Sequence, residues 1–161
     1  MLRVAVLVIN SKVASGTEPD RGRAELEQMV NALPGTVVAY EAVSDDRKVI
    51  RESLVRLCDE RGPDVVLTVG GTGVRPTDWG PEATRDVVEK EIPGIGEAMR
   101  QESLKKVRTA MLSRGTAGIR GRTLIVNLPG SPRGARENLA VLAPVLDHTV
   151  EKITQNVKRD G

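Results

Sequence analysis

The chain has 161 residues, 39% of them hydrophobic and 29% charged, with a formal net charge of +2. That suits one ordinary globular domain with a sizeable core and excludes a disordered chain. Lys and Arg are mixed with nearly as many acids, and one Trp, one Tyr and no Phe are present, so neither the basic stripe nor the stacking aromatics of a nucleic-acid binder is visible. A single cysteine, Cys58, and a single histidine, His148, exclude an internal disulfide and a zinc site of several thiolates or imidazoles, and disfavour a Ser-His-Asp triad.

Leu2–Ile9 is a continuous apolar, β-branched run, the pattern of a parallel strand covered on both faces. It is too short for a membrane span and lacks a cleavage site, so no membrane contact and a cytoplasmic location are expected. Residues 10–19 read as a loop. Asp20 is placed to cap a helix whose apolar stripe is Leu26, Met29, Val30 and Leu33. Pro34-Gly35 ends it, and 36–43 is a second strand. Ser44 or Asp45 then caps a helix burying Ile50, Leu54, Leu57 and Cys58, which Gly62-Pro63 stops. Asp64 to Val69 is the clearest strand, and it runs straight into Gly70-Gly71-Thr72-Gly73.

Pro81 suits the first turn of a helix over 82–89, and a further helix starts near Pro93-Gly94 and ends near Ser103. Strands are expected at 110–113 and 123–128, with a turn-rich stretch between them and an antiparallel pairing that makes the sheet mixed. After the tight loop Pro129-Gly130-Ser131-Pro132 comes a long helix through Leu139, Leu142, Leu146, Val150 and Ile153, bent at Pro144. The alternation predicts a three-layer α-β-α sandwich with a mostly parallel, mixed sheet. One domain over 1–155 and a flexible tail over 156–161 complete the reading.

Ligands of open α/β sheets bind beyond the carboxyl ends of strands, which selects the loops after Ile9, Val69 and Leu128. Glycines in Gly70-Gly71-Thr72-Gly73 allow close backbone approach and turn amides toward an anion, and Thr72 adds a hydroxyl. The motif is neither a P-loop nor a dinucleotide fingerprint. Asp78 follows closely; a carboxylate beside a phosphate site points to an intervening Mg²⁺, while a turn-capping role stays open. Asp45 reads by itself as a helix cap. The loop Pro129-Gly130-Ser131-Pro132 can hold a phosphate at the helix N-terminus beside Arg133 and Arg136, or serve only as a rigid turn. Ser113 and Arg114 could supply a hydroxyl and a cation. Cys58 reads as packing. Trp79 either stacks on a flat ring or covers the loop, and covering is the preferred reading.

Three blocks carry a resemblance: Thr68–Gly73 continuing to Asp78 and Pro81-Glu82-Ala83-Thr84; Met111-Leu112-Ser113-Arg114; and Asn127-Leu128-Pro129-Gly130-Ser131-Pro132. In this order and spacing the chain, from about Val37 to Ile153, resembles the molybdopterin adenylyltransferase family, the MogA/MoaB type of molybdenum-cofactor biosynthesis proteins. The resemblance implies a molybdopterin-binding α/β domain, a homotrimer, and adenylylation of molybdopterin by Mg-ATP with release of pyrophosphate. It also implies that Asp78 and Asp45 are catalytic and hold Mg²⁺. Gly70, Gly71, Thr72, Gly73, Glu82, Ser113, Arg114, Asn127, Pro129, Gly130 and Ser131 would bind ATP and molybdopterin, and a molybdenum-insertion enzyme would be a partner. Relatives often carry a Ser-Asp pair after the first strand and a Val-Thr-like pair before the proline; here Asn10-Ser11 and Trp79-Gly80 stand in those places. Two other functions fit the same residues: a non-catalytic molybdopterin-binding module, and a related nucleotide pyrophosphatase.

Overall fold

A computed structural model describes the backbone of residues 1–160 and the side chains of residues 1–155, so the tail expected at 156–161 lies outside the described side chains. Six strands form one sheet in the order β2-β1-β3-β6-β5-β4. They are β1 (Leu2–Ile9), β2 (Gly35–Val43), β3 (Val65–Val69), β4 (Lys90–Glu91), β5 (Ala117–Arg120) and β6 (Thr123–Leu128). The first three and β6 pair in parallel, whereas β5 runs antiparallel to both β6 and β4. The sheet is therefore mixed, as the short connections before Thr123 require.

Alternation along the strands builds two cores. Val4, Val6 and Val8 face one side, where Leu26 and Val30 of α2 (Arg23–Ala32), Met99 of α5 (Pro93–Leu104) and Leu139, Leu142 and Leu146 of α6 (Pro132–Asp160) cover them. Ala5, Leu7 and Ile9 face the other, beneath Ile50 and Leu54 of α3 (Arg47–Arg56) and Ala83 and Val87 of α4 (Gly80–Val87). Both faces of β1 are dry, which is why the strand reads as an unbroken apolar run rather than an alternating one. Three layers follow directly.

Several boundaries differ from the sequence reading. Asn10 caps a short helix, α1 (Ser11–Ala14), by accepting from the Lys12 and Val13 amides. Asp20 does not cap α2, which begins after Gly22; its carboxylate accepts from the Gly22 amide and the Tyr40 hydroxyl. The cap of α3 is Asp46, not Ser44 or Asp45. Helix α3 widens into a π-turn over Leu57–Arg61 that ends at left-handed Gly62, and α6 continues through Pro144.

The largest correction concerns residues 110–113. No strand forms there; Arg108–Leu112 is a 3₁₀ turn with Met111 64% and Leu112 46% exposed. The antiparallel strand is Ala117–Arg120 instead, where a Cβ on Gly118 would lie 2.7 Å from Val88 Cγ1 and 2.8 Å from the Lys90 carbonyl. Glycine is what lets β4 approach β5, and this made the strand poor in the apolar signal that marks the others.

Candidate active site

The direction of chain crossing reverses between β1 and β3, since β2 lies outside β1 on one side and β3 on the other. Loops leaving the carboxyl ends of such neighbours diverge and leave a crevice. Gly70 lies at its floor. With φ of +105° and a hypothetical Cβ only 2.7 Å from the Ile9 carbonyl oxygen, this position admits glycine alone. The Gly70 amide donates to the Leu128 carbonyl at 3.0 Å, tying the β3 and β6 exits together. Among the described residues, the amides of Gly71, Thr72 and Gly73 have no protein acceptor, and neither has that of Ser131. Free amides at converging loops make a cradle for an anion.

Asp78 closes the loop. Its Oδ2 accepts from the Arg75 amide at 2.9 Å, and its second carboxylate oxygen has no donor among the described residues. Asp45 comes from the opposite side of the crevice, at the end of β2, with its amide donating to Ser11 Oγ at 3.0 Å. Both aspartates line a cleft of about 780 Å³ together with Gly70–Gly73, Gly130 and Ser131. Ser11 and Lys12, which fill the divergent segment after β1, line it too. Ser131 Oγ accepts from the Gly134 amide at 3.1 Å as the first turn of α6 forms, so its O–H is available to a ligand.

Arg114 has a different place from the free cation expected of it. Its Nε donates to the Gly73 carbonyl at 2.7 Å and its Nη2 to the Asp78 carbonyl at 2.9 Å, while Nη1 pairs with Glu82. Its amide donates to the Thr72 carbonyl at 2.7 Å. One planar guanidinium thus clips both ends of the glycine–aspartate loop to helix α4, a use of the rigid fork that lysine cannot copy. Burial pushes the Glu82 carboxyl up, but the Arg114 hydrogen bond, a backbone hydrogen bond and the charges of Arg114 and Arg85 outweigh it and hold Glu82 below the ordinary glutamate value. Glu82 Oε1 is buried without a hydrogen-bond partner among the described residues.

Asn127 also sits behind the site rather than in it. It is 1% exposed; its Nδ2 donates to Thr68 and Thr84 hydroxyls at 3.0 and 2.9 Å, and its Oδ1 accepts from the Thr116 amide at 3.1 Å. With its carboxamide committed, Asn127 locks β3, β6 and α4 in register beneath the loops. Ser113 lines a second, more enclosed cavity of about 260 Å³, with Pro129 and the side chains of Met99, Arg100 and Leu112. The two cavities share Thr72, Gly73, Leu112 and Ser131. Arg100 escaped the sequence reading because its contact, Nη1 to the Gly115 carbonyl at 2.7 Å, joins residues fifteen apart across a turn that has no repeating pattern.

A family model described as a probable molybdopterin binding domain matches residues 5–148, which spans every loop of the crevice. The chain belongs to this family. It is 40% identical over 157 residues to a protein named molybdopterin adenylyltransferase from Helicobacter pylori strain J99, covering 96% of this chain and 89% of that one. Escherichia coli K12 has a protein of the same name that is 40% identical over 140 residues, covering 86% and 72% of the two chains. Among solved structures, a molybdopterin biosynthesis enzyme MoaB from Thermus thermophilus superposes with a TM-score of 0.89 at 44% identity, over 96% of this chain and 98% of that one. The family fold is the three-layer sandwich described above. Among the described residues of this family member, no group of three or more His, Cys, Asp or Glu side chains converges to hold a metal, and no helix is long and apolar enough to cross a membrane.

Proposed function

We propose that this chain adenylylates molybdopterin with ATP, releasing pyrophosphate, as a step in molybdenum-cofactor biosynthesis. The observation that carries this reading is the pair of joined cavities, a polar cleft with two aspartates and an enclosed pocket, meeting at Thr72, Gly73 and Ser131. Two substrates of different chemistry can be held there with a phosphate of each at the junction. The family membership and the 40% identity to proteins named molybdopterin adenylyltransferase supply the substrates.

A terminal phosphate oxygen of molybdopterin attacks the α-phosphorus of ATP, an O–P bond forms, and the bond to the β-phosphate oxygen breaks as pyrophosphate leaves. Such transfers depend on in-line positioning and charge neutralisation. The attacking phosphate is anionic at neutral pH, so the site needs no histidine base. The amides of Gly71, Thr72 and Gly73 and the Ser131 hydroxyl bind phosphate oxygens. Asp45 and Asp78 line one cleft with carboxylate oxygens, the hard donors that Mg²⁺ takes, and would hold that ion. Held by these two aspartates, such an ion would supply positive charge against the phosphates. The enclosed pocket beside Ser113 takes the pterin. Arg114, Glu82 and Asn127 position these groups without touching substrate. The working unit is a cytoplasmic homotrimer, for which exposed Val107, Met111 and Val145 offer apolar surface, and its product passes to a molybdenum-insertion enzyme.

Incubating the purified protein with molybdopterin and Mg-ATP tests the proposal, with adenylyl-molybdopterin and pyrophosphate as the expected products. Pterin binding without product would indicate a binding module. Cleavage of a dinucleotide without pterin would indicate a pyrophosphatase.

A further inference from the structure

Next to the crevice lies a groove of about 460 Å³ whose lining includes Asp45, Arg47, Lys48, Arg51, Thr77 and Trp79. It shares Asp45 and Thr77 with the aspartate cleft, so the enclosed pocket, the cleft and the groove form one continuous track. Trp79 is the only tryptophan in a chain without phenylalanine. A side chain serving only as a cover would be buried against the glycine loop. The indole instead remains 39% exposed and lines the groove. The Arg47 guanidinium lies 5.7 Å from the indole centroid and is itself fixed by Asp86, with bonds of 2.9 and 2.8 Å. A paired arginine on the indole holds the ring in one orientation and does not compete for phosphate.

We infer that Trp79 is the nucleobase platform of this site: the base of the bound nucleotide stacks on the exposed part of the indole in this groove, while its phosphates lie over the glycine loop. Three features point the same way. The platform follows directly after Asp78, so base and phosphate sites are fixed by one segment. A flat aromatic surface is what a purine needs and what an inorganic phosphate chain cannot use. The groove shares no lining residue with the enclosed pocket, which leaves that pocket to the other substrate. The inference rests on the adenylyltransferase reading and specifies where its nucleotide lies.

Because Trp79 is the only indole, its fluorescence reports the groove alone. Titration of the wild-type protein with Mg-ATP should quench or shift that emission, whereas Mg-tripolyphosphate should compete with labelled ATP in equilibrium dialysis and leave the emission nearly unchanged. Trp79→Ala should raise the KM for ATP about tenfold, the scale of one base–aromatic stack, while the KM for molybdopterin stays near wild type. Trp79→Phe should recover most of the difference. Dialysis showing that ATP binds while the emission stays constant, or a Trp79→Ala protein with an unchanged KM for ATP, overturns the platform and leaves the adenylyltransferase reading standing. A wild-type protein that binds no ATP in dialysis overturns both.

Discussion

The two walls of the crevice are built on opposite principles. One wall, the loops after β3 and β6, is over-determined: only glycine fits at position 70, Arg114 holds three acceptors, and Asn127 uses its whole carboxamide. The other wall, from the end of α5 through the 3₁₀ turn, lines the pocket with Val107 and Leu112, both partly exposed, and has exposed Leu104 and Met111 beside them. Its backbone is held by local turn bonds such as Ser113 to Ala110 at 3.1 Å. Charge stabilisation needs dipoles fixed before reaction, because reorienting them costs part of what they supply. Apolar contact with a ring tolerates adjustment. In the proposed reaction, phosphate chemistry would therefore fall to the rigid wall and pterin binding to the adaptable one.

If that division holds, the largest effect belongs to a charge on the rigid wall. Asp78→Asn keeps an oxygen that can accept from the Arg75 amide, so the turn persists while the charge is lost. Turnover should fall on the order of 100-fold or more, the scale of a preorganised electrostatic group, with molybdopterin binding retained. Unchanged turnover would remove Asp78 from the chemistry. Gly70→Ala comes next, and should destabilise the fold by about 1–3 kcal/mol through strain at positive φ and contact with the Ile9 carbonyl. Chemical denaturation measures this; a wild-type midpoint would mean that the loop is less constrained than its geometry indicates.

Arg114→Lys tests the clip itself. The charge stays, but one ammonium cannot reach Gly73, Asp78 and Glu82 as the fork does, and a loss of about 1–2 kcal/mol is expected for the charged hydrogen bonds forfeited. The kcat should fall with little change in the KM for molybdopterin, since the pterin wall is untouched. Glu82 adds a pH signature. Its folded-state pKa is lowered from the ordinary 4.5, so its contribution is complete above that value and disappears as the pH falls through the lower folded value. Glu82→Gln should therefore flatten the acid limb of the stability–pH profile; an identical acid limb in the variant would show that the pair contributes nothing.

The sequence exposed the rigid wall more clearly than the adaptable one, for physical reasons. Buried strands leave apolar runs, and Leu2–Ile9 and 123–128 match the observed β1 and β6. Gly70–Gly73 and Asp78 were readable because a strand-to-helix exit imposes its own residue types. Residues 110–113 misled because Ala-Met-Leu has strand-like hydrophobicity while two of its large side chains point to solvent. Nor could spacing distinguish a ligand-binding Arg114 from one that braces the loop, as its partners lie 32 to 41 residues away. Asp45 and Asp46 show the finest limit: adjacent residues of one type, of which the second caps α3 and the first faces the cleft.

The smallest predicted effect bears on the adaptable wall. Met111 is 64% exposed, outside both core clusters and outside the rigid loop's hydrogen bonds. Met111→Ser should change the stability of the isolated chain by no more than about 0.5 kcal/mol, as for surface positions that carry no special contact. In the proposed homotrimer the same substitution would weaken an apolar contact and make the melting temperature depend more steeply on protein concentration. Thermal unfolding at several concentrations separates the two cases. A concentration-independent loss well above about 0.5 kcal/mol would mean that the 3₁₀ turn supports the core after all, and the contrast between the walls would fail on that side.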